Sequence, residues 1–482
     1  MFKLKGKRVL LVGLGSRGRA ACRLLCDNGA SVVAVDCKED DLLRREIEPL
    51  TKLGVEVHLG LTKPLAKLLD GVELSVISVG GIRETAWVRA LSKADLPLIG
   101  ELELGSQKLR CLNIAVTGTN GKTPAAKLIE QILIGGQRET RLAGKVDYPI
   151  CDAVEESKEL DYLILAVNSF QLELTQFFSP TVAVVTNIAP DHMDHYGSMA
   201  EYVKAKARIF ANQQPFDWAI IQSEALAQIR SLGIEIPSKI INFSASNRRA
   251  DISLDRGLIV SRVPGWEGPL MDFTECQLQG AHNAEILMAA LAVGRVFRIP
   301  LEQSVDILRN HPPLPHRCEL VAELDGVSYI NDSRCTNLAA LKKSLSSMKS
   351  GSGGNQNIWL LAGGRDKGGA YHDIGPLLSQ RVKAVFLMGE TRENLRAAWS
   401  LFTPCLLVDS LEEAVLQSAE MAEEGDVILL SPASEDSGSV NGYQHRGEMF
   451  RRSVELLAGT STEAESTGNA GSASKIPHVL SR

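Results

Sequence analysis

Residues 115–128 read AVTGTNGKTPAAKL. An apolar stretch, CLNIAV, ends in Thr117 and runs into Gly118, Thr119, Asn120, Gly121, Lys122 and Thr123, after which the apolar spacing turns helical. Strand, glycine loop and helix in that order aim backbone N–H groups and a helix N-terminus at phosphates. Lys122 is placed to reach a terminal phosphoryl group, and the Thr123 hydroxyl to hold Mg²⁺. Pro124 suits the first helical turn, where a missing N–H costs nothing. The usual phosphate-loop spacing puts four residues between its first and second glycines. Here only Thr119 and Asn120 stand between Gly118 and Gly121. Nucleotide binding is therefore read from the context of the loop rather than from its spacing, against an ordinary turn as the alternative.

Upstream, RVLLVGLGSRGRAACRLLCDNGASVVAVD at 8–36 reads as strand, tight loop, helix and strand. Gly13, Gly15 and Gly18 fit G-x-G-x-x-G around Ser16, and Asp36 closes the second strand near the offset of a residue that accepts a ribose hydroxyl. The bland alternative is tight helix–strand packing without a ligand. VEVHLG at 55–60 and LSVISVG at 74–80 read as further strands. Residues 1–108 thus form a Rossmann-like domain with a small parallel sheet. An NAD-dependent dehydrogenase fits this fingerprint, but needs no second nucleotide loop directly after the domain.

Downstream, a central P-loop-type ATPase domain spans 109–313. DYLILAV at 161–167 is a buried strand leading into NSFQLEL, and TVAVVTNIAPDHMDHYGS at 181–198 is a strand ending in a charged loop. Asp191, His192, Asp194 and His195 lie at its carboxyl end, where open α/β sheets bind ligands. His192 is a candidate ligand for Mg²⁺ or Mn²⁺, or else a hydrogen-bonded loop histidine. The helix SMAEYVKAKARIF follows, and on their own Lys204, Lys206 and Arg208 read as a solvated face. In QLQGAHNAEILMAALAVGRVF at 277–297, His282 and Asn283 stand near a helix start where side chains can meet a base or ribose.

A second Rossmann-like domain spans 314–455. Two short alternating strands lead to a turn crowded by Asp332, Ser333, Arg334 and Thr336. NIWLLAGGRDKGG at 357–369, VKAVFLMGE and DVILLSPASEDSG give later strands and loops. Arg317, Arg334, Arg365 and Lys367 make these loops positive and suited to an anionic substrate. Residues 456–482, with GTSTEAESTGNAGSAS, lack apolar area and read as a mobile tail.

The bulk numbers agree with three α/β domains. The chain has 482 residues, 44% hydrophobic and 23% charged, with a formal charge of −6. That length exceeds a single core. No basic stripe points to nucleic acid, and no stretch has the length to cross a membrane. The N-terminal apolar run continues into the glycine loop and not into a cleavage site, which argues against a secretory signal. The nine cysteines are scattered without metal or disulfide spacing, which suits a reducing compartment such as the cytoplasm.

GTNGKT, NSFQLE, NIAPDHMDHY, YVKAKARIF, HR, NDSRCTN, GGRDKGG and SPA…RGEMF follow one another in the order found in the Mur ligase family. The chain resembles that family up to about residue 455. The pattern is nearest to the members that add D-glutamate to UDP-N-acetylmuramoyl-L-alanine in peptidoglycan precursor synthesis. The resemblance implies an ATP-dependent ligase that activates a carboxylate as an acyl phosphate, which the amine then attacks. It implies two Mg²⁺ ions and an architecture that works as a monomer. Carried over residue by residue, Lys122 meets the transferred phosphoryl group, Thr123 and His192 ligate Mg²⁺, and Lys206 is a carbamylated metal ligand. Asn283 lies near the adenine, Asp332 near the ribose and Arg334 near the phosphates. Gly15, Ser16, Asp36 and Lys145 hold the UDP sugar. His316, Arg317, Thr336, Lys367 and Tyr443 line the D-glutamate site.

The chain also departs from the family. Ala166, followed by Val167 and Asn168, stands where a metal-binding Glu is usual; Asn168 could hold a water instead. Lys145 takes the place of an Asn, with Asp147 opposing it. SVGG at 78–81 replaces SPG, and Cys37 follows Asp36. Asp436, by a gapless count from Arg446, takes the place of a Ser expected at the glutamate side chain. A carboxylate there repels glutamate. The sequence thus supports an active ligase first, and second a divergent ligase with another acceptor or a weakly catalytic nucleotide-binding protein.

Overall fold

The computed structural model describes residues 3–78, 86–144, 148–193, 195–278, 280–312, 315–348, 351, 354–365, 371–434 and 442–467. The chain forms two compact units, Met1–Pro312 and Pro313–Arg482. The first unit holds two sheets and the second holds one, giving the three-domain α/β architecture.

In the first sheet, β1 (Arg8–Val12), β2 (Ser31–Val35), β3 (Glu56–His58), β4 (Leu74–Ile77) and β5 (Leu98–Gly100) run in the order β3-β2-β1-β4-β5. All its pairings are parallel. Helices cover both faces of such a sheet, so Val9, Leu10 and Leu11 of β1 are wholly buried. The chain leaves β1 first to one side and then to the other, which opens a crevice over its carboxyl end.

The second sheet contains β6 (Leu112–Thr117), β7 (Thr140–Ala143), β8 (Tyr162–Ala166), β9 (Val182–Val185), β10 (Trp218–Gln222), β11 (Lys239–Ser244), β12 (Ile252–Asp255), β13 (Leu258–Ser261) and β14 (Gly268–Asp272). Its order is β14-β13-β12-β11-β10-β9-β6-β8-β7. β6 lies between β8 and β9, parallel to both, with Val116 beside Ala166 and Thr117 beside Val185. This is again a switch point, and residues 118–121 leave from it. The antiparallel extension β12–β14 was not anticipated from the sequence. One buried cluster runs from Leu4 through Ala115 to Ile229, so both sheets of this unit share a core.

In the second unit β15 (Glu319–Leu324), β16 (Val327–Asn331), β17 (Ile358–Gly363), β18 (Val382–Met388), β19 (Cys405–Leu407) and β20 (Val427–Leu430) run in the order β15-β16-β20-β17-β18-β19. Only the β15–β16 pair is antiparallel. The last helix, Gly442–Thr467, runs past residue 456, where the sequence reading began the tail. Val454 and Leu457 pack on the core and anchor this helix. Residues 468–482 lie outside the described residues. Among the described residues no helix is long and apolar enough to cross a membrane, and all nine cysteines are free.

Candidate active site

The loop after β6 is held by the end of β9. Asn120 N–H donates to Asn187 Oδ1 at 2.9 Å, while Asn187 Nδ2 and Thr186 Oγ1 donate to the Asn120 carbonyl at 2.9 and 2.5 Å. Thr119 N–H reaches the Asn187 carbonyl at 2.9 Å. The Thr119 hydroxyl bonds Ala189 at 3.0 Å and Tyr202 OH at 3.1 Å. Gly118 and Gly121 adopt φ of +149° and +82°, which lets the chain double back under the helix Lys122–Gly135.

Two ammonium groups converge on this loop. Lys122 Nζ donates to the carbonyls of Gly118 and Thr119 at 2.7 and 2.9 Å. Lys206 Nζ donates to the same Gly118 carbonyl at 2.9 Å. Lys206 is 1% exposed, which corrects the solvated-face expectation, whereas Lys204 on the same helix and Arg208 just after it are exposed. Its ammonium lies 4.7 Å over the Tyr202 ring. Burial pushes its pKa well below the ordinary lysine value; repulsion from Lys122 adds to this and Asp191 opposes it.

The 191–196 turn completes the carboxyl end. His192 takes a left-handed φ of 55° and its Nε2 lies 3.7 Å from Asp191 Oδ2. Phe170, from NSFQLE, stands between His192 and His195, with ring centroids 4.9 and 4.8 Å away. His195 Nε2 meets Glu173 Oε2 at 3.3 Å. Asn168 accepts the Gln171 N–H at 2.9 Å, so its side-chain oxygen is engaged in capping the helix Ser169–Glu173. Ile286 Cδ1 would lie 3.2 Å from a Cβ at Gly121, so the helix Ala281–Val296, with His282 and Asn283 in its first turn, abuts the loop.

Lys206 fits a metal centre only in a modified form, because an ammonium repels a cation and a carbamate binds one. Among the described residues no three His, Cys, Asp or Glu side chains are grouped as a metal site. Oxygen donors from Thr123, a Lys206 carbamate and nucleotide phosphates, with the His192 imidazole, suit Mg²⁺ held largely by the nucleotide.

On the first sheet, Asp36 Oδ2 accepts the Leu14 N–H at 2.6 Å and Oδ1 the Lys38 N–H at 2.8 Å. The carboxylate therefore braces the glycine loop itself. A Cβ at Gly18 would fall 1.8 Å from the Gly13 carbonyl oxygen, so this glycine serves close helix–strand packing. A Cβ at Gly15, by contrast, meets nothing within 4 Å among the described residues; Gly15 is exposed and Ser16 half-buried. Lys145 and Asp147 lie outside the described residues, as do Asp194, Lys367 and Asp436.

In the second unit Asp332 is buried. Its Oδ2 accepts Ser344 Oγ at 2.5 Å and Ser431 Oγ at 2.9 Å, and its Oδ1 the Cys318 N–H at 3.3 Å. Burial raises its pKa to about 6, against the pull of those hydroxyls and of Arg317. Burial and then Arg334 push Arg317 down to about 10, and its Nε is buried with no hydrogen-bond partner among the described residues. Arg334 lies 4.6 Å over the Tyr443 ring and donates to its hydroxyl at 3.1 Å. His316, at φ 63°, sits 5.9 Å from the same ring. Arg446 donates to the carbonyls of Ser333 and Ser434 at 3.0 and 3.1 Å, fixing the turn that carries these groups and Thr336. The structure thus gathers Arg317, Asp332, Arg334 and Tyr443. The sequence reading missed Thr186 and Asn187 as braces of the 118–121 loop, and Ser344 and Ser431 as braces of Asp332. Thr186, Asn187 and Ser431 carried a signal, since each lies directly at or after the carboxyl end of a strand legible in the sequence, whereas Ser344 lies inside a helix.

Comparison with known proteins identifies the family. The Mur ligase middle domain matches residues 116–294, and the Mur ligase, glutamate ligase domain matches residues 316–434. The chain is 34% identical to the UDP-N-acetylmuramoylalanine--D-glutamate ligase of Acidobacterium capsulatum, over 93% of this chain and 96% of that protein. It is 36% identical to the ligase of the same name from Pelotomaculum thermopropionicum, over 93% and 97%. Among solved structures, a pseudomurein peptide ligase type C from Methanothermus fervidus shares the fold with a TM-score of 0.58 at 17% identity, covering 94% of this chain and all 100% of that one. UDP-N-acetylmuramate-alanine ligase from Thermotoga maritima does so with 0.56 at 17%, covering 94% and 99%. With these matches running through both units, the chain belongs to the Mur ligase family.

Proposed function

We infer that the chain is an ATP-dependent amide-forming ligase that joins D-glutamate to UDP-N-acetylmuramoyl-L-alanine, a step in peptidoglycan precursor synthesis. The observation that carries this is the convergence of Lys122 and Lys206 on the Gly118 carbonyl, at the carboxyl end of a central parallel strand. We assign the sugar nucleotide to 1–108, ATP to 109–313 and the amino acid to 314–455.

Backbone N–H groups of the 118–123 loop and the Lys122 ammonium hold the β- and γ-phosphates. Charge developing on the transferred phosphoryl group is met by that ammonium. Mg²⁺ held by Thr123 and the phosphates would supply further neutralisation, and His192 would hold a second Mg²⁺ near the acyl phosphate. The muramoyl carboxylate becomes an acyl phosphate, and the amine of D-glutamate displaces phosphate from it. Arg317 and Arg334 supply positive charge for the carboxylates of D-glutamate, with Thr336, Tyr443 and Lys367 beside them. Asn283 and Asp332 serve the nucleoside, and Gly15, Ser16, Asp36 and Lys145 the UDP sugar.

Lys206 acts as a carbamate in this reading. Its depressed pKa supplies the neutral amine that CO₂ needs, and the carbamate turns a repelled cation into an anionic metal ligand for a second Mg²⁺. Lys206→Ala should then lose nearly all turnover, with partial rescue by short carboxylic acids. Full activity in the variant would remove the carbamate.

The test of the whole is an amino-acid screen with ATP, Mg²⁺ and UDP-N-acetylmuramoyl-L-alanine, reading phosphate release and product mass. D-Glutamate should give the fastest release and the matching product. Preference for a neutral or basic amino acid would select the divergent reading that Ala166 and Asp436 favour.

A further inference from the structure

We propose that Arg17 is a positioning residue that straps the glycine loop of the first sheet to the ATP-side sheet, so that the sugar nucleotide is presented to ATP in one geometry. This rests on the assignment of that loop to the UDP sugar.

Arg17 is the second residue of the helix Ser16–Asp27, directly after Gly15. Its guanidinium does not point to bulk water. Nη2 donates to the Gly144 carbonyl at 3.3 Å, and Nε lies 3.7 Å from Glu101 Oε1. Both partners lead to the ATP side. A Cβ at Gly144 would stand 3.1 Å from the Ala166 carbonyl oxygen, so Gly144 rests on the end of β8, next to β6 and its loop. Glu101, 4% exposed, accepts Gln171 Nε2 at 2.8 Å, in the helix that Asn168 caps directly after β8. A buried carboxylate requires a cation or several donors, and Arg17 and Gln171 provide them from opposite sheets. The same helix makes a second tie. Arg23 Nη2 donates to both oxygens of Asp152 at 2.8 and 3.0 Å, with Nε at 3.3 Å. One helix, starting at the sugar-nucleotide loop, thus grips the ATP-side sheet at two points.

The chemistry of arginine is what makes this a strap. The planar guanidinium hydrogen-bonds the Gly144 carbonyl through Nη2 while its Nε edge keeps the charge 3.7 Å from the Glu101 carboxylate, whereas a lysine ammonium is a single point charge. A diphosphate at the N-terminus of the helix then lies beside a side chain whose other contacts fix the end of β8.

The experiment uses the full chain and compares parent, Arg17→Ala, Arg17→Lys and Asp152→Asn. Calorimetry reads the affinity for UDP-N-acetylmuramoyl-L-alanine and, separately, for a non-hydrolysable ATP analogue with Mg²⁺; steady-state kinetics read kcat and both KM values. Arg17→Ala and Arg17→Lys should each weaken the sugar nucleotide about tenfold, the scale of one charge-assisted hydrogen bond. kcat should fall by a similar factor, with affinity for the ATP analogue within about twofold of the parent. Asp152→Asn should shift the same quantities in the same direction by less, and it stands in should the Arg17 variants not fold. Parent-like affinity in Arg17→Lys would show that a point charge suffices and overturn the strap. Equal weakening of the ATP analogue would show a general loss of structure and overturn it too. A parent that does not bind the sugar nucleotide removes the assignment on which the strap rests and the strap with it. A parent that binds it, with Arg17→Ala unchanged, removes the strap alone.

Discussion

Gly118→Ala tests how tightly the nucleotide loop is determined by its surroundings. A Cβ at this position would lie 2.0 Å from Thr186 Oγ1, 3.2 Å from the Asn187 carbonyl oxygen and 3.3 Å from that of Asn120. The φ of +149° is itself one that L-residues rarely adopt, at a cost on the order of 1–3 kcal/mol. Thr186 is not free to swing aside, because its hydroxyl donates to the Asn120 carbonyl at 2.5 Å. Moving it sacrifices that bond, about 1 kcal/mol, and residual crowding adds about 1–3 kcal/mol. The native loop is then disfavoured by about 4 kcal/mol, roughly a thousandfold in its population. Titration calorimetry with a non-hydrolysable ATP analogue and Mg²⁺ reads this directly. Gly15→Ala is the control, since its Cβ meets nothing within 4 Å. Gly118→Ala should bind at least about a hundredfold more weakly, allowing for relaxation of the loop, while Gly15→Ala binds the analogue as the parent does. Affinity within about threefold of the parent in Gly118→Ala would refute the account of the loop as held by Thr186 and Asn187.

Two further outcomes are expected. The Asp332 carboxyl, raised to about 6 by burial, keeps its proton in the folded state at a pH where the unfolded chain has lost it. Its contribution to stability should therefore decline as the pH rises from about 4 to about 6. A carbon-13 carboxyl titration should give a midpoint near 6, and an ordinary aspartate midpoint would mean that Ser344 and Ser431 outweigh burial. Ala166→Glu places a carboxylate at the end of β8, next to the nucleotide loop. Mn²⁺ binding in the presence of the ATP analogue, followed by electron paramagnetic resonance, should tighten by at least about threefold, and weaker binding would place Ala166 outside the metal's reach.

What the sequence made legible follows from locality. The 118–123 loop could be read because strand, loop and helix are contiguous and each has its own pattern. Likewise Gly13, Gly15 and Gly18 marked a tight turn, although packing of Gly18 on Gly13 is a role no spacing could separate from phosphate approach. Lys206 was misread alone because its burial is decided by Gly118, 88 residues earlier. The bracing of Asp332 was likewise not legible, because Ser431 engages its carboxylate from 99 residues away. β12–β14 escaped because short strands with polar residues interleaved carry little periodic signal. The resemblance to a family reached Lys206 where helical periodicity pointed the wrong way.

The anchoring of the 118–121 loop by Thr186 and Asn187 has a consequence for how the chain acquires affinity for nucleotide. β6 pairs only with strands that come later in the chain, β8 and β9. The groups that shape the loop lie 66 to 70 residues downstream of it. The loop therefore has no binding conformation until the chain through Ala189 has closed onto β6. Nucleotide binds the closed pairing and not the open chain, so it draws the closure forward by mass action. Protection of β6 and β9 against hydrogen exchange should rise together with nucleotide concentration, as one cooperative element.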